Sequence, residues 1–208
     1  MTNPEQPAAM RSLDMTALKA LAHPLRVKIV DTLGTYGAHT ASGLAARLGE
    51  SSGATSYHLR QLEKHGFVRE NTARGSARER WWERTPDGIT VIPSEFPSSA
   101  ERSASDLLTR EWQANRDALL HDFINQGNDR LERRWFEAST LDTTNLRLTS
   151  AQLHALVQEL EAVTERYAAL YKKEGVPGTR PVQIQLNAFP VIDAEEVAGG
   201  PENVSGTR

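Results

Sequence analysis

The chain has 208 residues, room for one large domain or two small ones, with 38% hydrophobic residues and a net charge of −3. It has no cysteine, which excludes disulfides, thiolate metal sites and cysteine nucleophiles. No stretch approaches a membrane span and no apolar run follows Met1, so neither a spanning helix nor a signal peptide is expected, and the cytoplasm is the expected compartment.

Residues 1–12 are polar and contain Pro4 and Pro7, and are expected to be disordered. A first helix is expected from about Leu13 to Ala22. Pro24 then restarts the chain, because proline suits the first turn of a helix. The second helix runs to about Leu33, with Val27, Ile29, Val30 and Leu33 apolar. Gly34 to His39 read as a break. Two short helical patterns follow. The first is capped by Thr40 and places Leu44, Ala45 and Leu48 on one face. The turn is Gly49-Glu50-Ser51. The second starts near Ser51 or Ser52 and turns Thr55, Leu59 and Leu62 inward at i, i+4 and i+7.

The opposite face of that second helix carries Ser52, Gly53, Ser56, Tyr57, Arg60 and Lys64. Small polar groups near the N-terminus and cations further along are what a helix needs in a DNA major groove. Ser52, Ser56 and Tyr57 are the base-edge candidates. Gly53 suits close approach, Arg60 a base or a phosphate, and Lys64 a phosphate. Thr40 and Ala41, at the start of the first motif helix, suit a backbone phosphate, although capping explains Thr40 equally well. His58 lies at the boundary of the inward face and is expected to make a structural hydrogen bond. After Gly66 the chain reads strand, glycine-containing turn, strand. Arg74 and Arg78 flank the tip, suited to phosphate or minor groove, with plain solvated charge as the alternative. Trp81 and Trp82 are adjacent in a strand and should face opposite sides. One belongs in the core, and the other is expected at a domain junction.

Thr85 to Gly88 read as a turn, Ile89 to Ile92 as a short apolar run, and residues 93–99 as a linker. A long helix is expected from about Ala100 to Ala138. Its stripe holds Leu108, Trp112, Leu119, Phe123, Leu131 and Trp135, with Gly127 a weak point. Such a stripe must pack on something, and a partner subunit is the expected cover. Asn145 to Thr149 alternate like a strand. Thr149 or Ser150 caps a further helix, from about Ala151 to Glu174, with a broad apolar face. Val182 to Phe189 alternate again. Strand, helix and strand suggest a small β-α-β unit. Residues 194–208 are expected to be a disordered tail. The expected fold is mainly α with small β: a winged helix-turn-helix over 13–92, then a long helix and the β-α-β unit in a dimerisation or sensor region over 100–193.

Charge divides the same way. Residues 1–90 hold twelve Lys/Arg against nine Asp/Glu, and residues 91–208 hold twelve against eighteen. A basic first half is the footprint of a polyanion-binding module.

The segments LKALAHPLRVKIVDTL and LAARLGESSGATSYHLRQLEKHGFVRE resemble the ArsR-type winged-helix transcription regulators. The resemblance covers residues 13–92. It implies a homodimer on pseudo-palindromic double-stranded DNA, with repression as the expected sign. The chain departs from that family in two ways. The familiar cysteine pair of the first motif helix is missing, with Ala41-Ser42-Gly43 nearby, and about 110 extra residues follow the wing, leaving room for a small-molecule effector. No metal or other cofactor is expected, because the six histidines form no ligand-spaced cluster. No catalytic residue is expected either, since phosphate-loop, dinucleotide and nucleophile-elbow motifs are absent. The rival reading is a protein-interaction module that uses a winged helix as a docking platform without DNA.

Overall fold

The computed structural model describes residues 10–12, 15–74, 79–85, 88–90, 98–171 and 176–197. Its N-terminal part is a helix-turn-helix closed by a small sheet. Helix α1 (Met15–Leu21) leads to α2 (Pro24–Tyr36). His23 caps α2 by accepting the Leu25 N–H on Nδ1 at 3.2 Å, and Pro24 takes the first helical position. A two-residue strand β2 (His39–Thr40) precedes α3 (Ala41–Leu48) and α4 (Ser52–Lys64). Gly49 between them sits at φ 70°, a left-handed conformation that glycine adopts without penalty. Strands β3 (Val68–Glu70) and β4 (Trp81–Arg84) pair antiparallel, and β2 joins the far edge of β4 in the order β2-β4-β3. Helix-turn-helix followed by this ribbon is a winged helix-turn-helix.

The core lies where α1, α2, α3 and α4 meet the sheet. Leu18, Leu21, Ile29, Leu44, Leu59 and Phe67 are completely or almost completely buried there. Trp82 enters this core, whereas its neighbour Trp81 turns outward beneath Arg74, whose guanidinium lies 5.9 Å from the ring centroid. The junction with the C-terminal half is covered by Trp112.

Met10–Ser12, expected within a disordered segment, form strand β1, which pairs parallel with β5 (Gly88–Thr90). The long helix α5 runs Ser99–Arg130 and stops short of the expected Ala138. The backbone opens at Glu132 before a short α6 (Arg133–Glu137). Gly127 lies inside α5, and a Cβ there would meet the Phe123 ring at 3.1 Å. The first half of α5 is covered within the chain. It packs on α1 and α2, burying Leu108 and Ser105 and bringing Trp112 against the core.

The expected β-α-β unit does not form within the chain. Helix α7 (Ser150–Tyr171) is present, started by a reciprocal pair in which the Gln152 N–H donates to Thr149 Oγ1 and the Thr149 N–H donates to Gln152 Oε1. Asn145–Thr149 and Val182–Phe189 on either side of it are not strands. Alternation orders side chains, but a strand also needs a neighbouring backbone about 4.8 Å away, and neither segment pairs with a strand among the described residues. The remainder of the linker, residues 93–97, and of the tail, residues 198–208, lies outside the described residues.

Candidate nucleic-acid interface

The exposed face of α4 is set by its buried one. Thr55, Leu59 and Leu62 are fully buried, which fixes the rotation of the helix. Ser51 caps it, its hydroxyl accepting the Ala54 N–H at 3.1 Å. Ser52, Gly53, Tyr57, Arg60 and Lys64 are therefore exposed, and Ser56 is half-buried. A Cβ placed on Gly53 would meet nothing within 4 Å, so no packing inside the chain demands a glycine there.

Three elements converge beside this face. Thr40, Ala41 and Ser42 at the start of α3, Ser56 and Arg60 on α4, and Glu79, Arg80 and Trp82 on the approach to β4 line a polar cavity of about 310 Å³. Thr40 Oγ1 accepts the Gly43 N–H at 3.0 Å, so the expected cap is formed. Of the candidates named from the sequence, Thr40, Ser56 and Arg60 meet at this cavity. Ser52, Gly53 and Tyr57 lie along the helix beside it, Lys64 a turn further on, and Arg74 at the start of the wing turn. Arg78 lies outside the described residues. Ser42, Glu79 and Arg80 were missed. The only sequence signal for them was the charged run before the tryptophans, since nothing local says that β4 passes the start of α3. Arg60 and Arg80 bring two guanidiniums to this concavity, Glu79 brings one carboxylate, and Arg80 Nε also lies 3.8 Å from Glu70 Oε2, which leaves Arg60 as the cation of the lining on the α4 side.

The wing is braced by a cross-strand pair. Glu83 accepts from Arg69 Nε and from Asn71 Nδ2, both at 2.6 Å. Asn71 in turn accepts the Ala73 and Arg74 N–H groups, which starts the turn that carries Arg74.

Behind the open face of α4, His58 packs on His23 with ring centroids 4.4 Å apart and the rings tilted by 43°. The expected hydrogen bond is not made: His58 Nδ1 and Arg26 Nε are both buried without a hydrogen-bond partner among the described residues. Burial, helped by nearby His23 and Arg26, lowers the imidazole below its usual range and favours the neutral ring.

A second polar cluster ties the wing to α5. Asp31 on α2 accepts from Asn115 Nδ2 at 2.7 Å. Burial raises its carboxyl, while Asn115, Arg84, Arg116 and Trp112 hold it back. Burial also lowers the Arg84 guanidinium, against the pull of Asp31. Arg84 folds over Gly34, with Nη1 only 3.0 Å from where a Cβ would stand.

Residues 21–71 match the family model described as a helix-turn-helix domain. That span runs from the end of α1 through β3 and contains both motif helices. No curated protein matches the chain. Among solved structures, the transcriptional regulator Tm0710 from Thermotoga maritima aligns at 12% identity and a TM-score of 0.30, over 77% of this chain and 91% of that one. Among the described residues, no helix is long and apolar enough to cross a membrane, and no three His, Asp or Glu side chains gather where they could share a metal ion.

Proposed function

We propose that this chain is a sequence-specific, DNA-binding transcription regulator of the ArsR type, a homodimer that represses its targets in the cytoplasm and performs no catalysis. The observation that carries the reading is the convergence of the α3 start, the hydroxyl-bearing face of α4 and the wing base on one concave polar surface. On this reading α4 lies in the major groove. Ser52, Ser56 and Tyr57 meet base edges, Gly53 permits close approach, and Arg60 reaches a base or a phosphate. Thr40, Lys64, Arg74 and Arg78 hold the phosphate backbone. The two-fold of a dimer presents two such helices about one DNA turn apart, and the region after residue 100 dimerises, senses a small-molecule effector, or does both. Repression follows from the resemblance of residues 13–92 to the ArsR type.

The test is a genome-wide pull-down of DNA fragments with the purified full-length protein. Enrichment of a pseudo-palindromic site with half-sites one turn apart is expected. Recovery of no sequence above background would overturn the reading and leave the protein-docking alternative.

A further inference from the structure

The second half of the chain exposes apolar side chains on a scale the first half does not. Of the twenty large hydrophobic residues exposed among the described residues, sixteen lie beyond residue 140. At about half exposure they present on the order of 1,000 Å² of apolar surface, more than the roughly 800 Å² that each partner contributes to a standard interface. Monomers seldom leave contiguous apolar patches beyond a few hundred Å².

Two surfaces account for most of it. One is the stripe of α7, a 22-residue helix with no buried residue. Val163, Tyr167 and Leu170 on that stripe are 47%, 52% and 66% exposed. The other is the segment Val182–Phe189, exposed along almost its whole length. One hydrogen bond ties it to the long helix: Gln185 donates to the Arg116 carbonyl on α5 at 2.9 Å, and it also donates to Gln183 Oε1 at 2.8 Å. Upstream, the Arg180 guanidinium lies 5.6 Å from the centroid of the Trp135 ring. The segment is thus anchored on α5 and α6, yet Val182, Ile184 and Leu186 point to solvent, and Ile184 is 61% exposed. In a self-sufficient fold the apolar side of such a segment faces the core.

The chain therefore carries an apolar helix stripe and an apolar segment face that do not cover each other. A two-fold axis solves this without any further component, because in an isologous contact surface i of one copy meets surface j of the other and j meets i. We propose that a second copy of this chain is the occupant, with α7 of each copy lying on the apolar side of residues 182–189 of the other. This rests on the homodimer of the preceding reading and names its contact surface. It moves the dimer away from the α5 stripe, whose first half is already spent on α1 and α2.

The experiment uses full-length protein without DNA, so its result is independent of whether DNA is the ligand. Sedimentation at micromolar concentration should give twice the 23.0 kDa chain mass. Val163→Glu and Ile184→Lys should each sediment at the chain mass, with an unchanged melting curve for the N-terminal domain. An equimolar mixture of the two variants should recover the double mass, because their heterodimer keeps one of the two contacts intact and sets Lys against Glu near the other. Recovery separates a reciprocal contact from α7 pairing with α7. Because the chain has no cysteine of its own, Val163→Cys and Ile184→Cys in one chain should be cross-linked into a covalent dimer by a short bismaleimide, with either single variant giving little. This second measurement does not depend on a disruptive substitution. A monomeric wild type, variants that stay dimeric, a mixture that stays monomeric, or a double-cysteine chain that does not cross-link between copies would each overturn the proposal.

Discussion

Helices α4 and α7 are both amphipathic, and the longer of them has the worse fate. α4, with 13 residues, buries Thr55, Leu59 and Leu62 completely. α7, with 22 residues and a longer stripe, has no buried residue. The difference is not in the stripes. Around α4, the helices α1, α2 and α3 and strand β3 converge from four directions. Among the described residues, no other helix or strand packs closely along α7. An apolar face states that it needs cover; the rest of the chain decides whether cover is available.

The border between the two regions falls inside α5, and the largest expected effect tests that border. Leu108 is fully buried against the N-terminal core. Leu108→Ala should lower the stability of the winged helix-turn-helix by about 2–5 kcal/mol, as much as Leu59→Ala in the motif itself. Urea titrations followed by tryptophan fluorescence would measure both. An N-terminal transition untouched by the Leu108 substitution would put the border before α5 instead.

Asp31→Ala probes the polar part of the same border and should cost about 1–3 kcal/mol, because it strands the Asn115 amide and leaves Arg84 without its opposing charge. The pH dependence has a definite sign. Burial raises the Asp31 carboxyl above its ordinary 3.8, so between 3.8 and the raised value the folded protein holds more protons than the unfolded one. Stability contributed by this group is complete below 3.8 and is lost as pH rises through the raised value. Asp31→Asn should remove that slope from a stability–pH profile, and a profile unchanged by the substitution would count against the buried carboxyl.

The interface predictions sit in the covered region but should leave its stability alone. Arg60→Ala should weaken binding to the enriched site by about 1–3 kcal/mol if it reads a base. Arg74→Ala should weaken all sequences alike and flatten the salt dependence by roughly one unit of slope. Fluorescence anisotropy across a salt series distinguishes the two, and an Arg60 variant with sequence-independent loss would move that residue to the phosphate group.

Gly53→Ala should split stability from function. No packing opposes a methyl there, and alanine favours a helix over glycine by up to about 1 kcal/mol. Thermal stability should rise slightly while DNA affinity falls. Unchanged affinity would end the close-approach role.

The smallest effect belongs to His58. Its folded value is depressed, so its contribution to stability is full above the ordinary 6.5 and is lost as pH falls from there toward the depressed value. His58→Gln should flatten the stability profile below pH 6.5, and a slope that survives the substitution would assign it to another group.

Much of the covered region was legible in the sequence because its signals are local. The inward triplet of α4, the Thr40 cap, the Gly49 turn and the Pro24 restart each depend on residues within a turn or two. Strand β2 was not legible, because two residues carry no period. Arg80 and Ser42 were not legible as neighbours, because sheet pairing brings them together across some 40 residues of chain. The His58 hydrogen bond was expected because a boundary histidine usually finds one; a tilted ring contact with His23 took its place.

The sequence by itself determined where most helices lie, which face of each is apolar, and that a helix-turn-helix with a basic ribbon comes first, but not the opening at Glu132 that separates α5 from α6. Those properties follow from periodicity, capping and turn chemistry, all short-range. Only the tertiary structure decided where the apolar faces go. It assigned the first half of α5 to the N-terminal core, formed no ladder at Asn145–Thr149 or Val182–Phe189, and left Val182, Ile184 and Leu186 exposed. Burial and strand pairing are relations between distant segments, and the pattern of one segment cannot specify its neighbour.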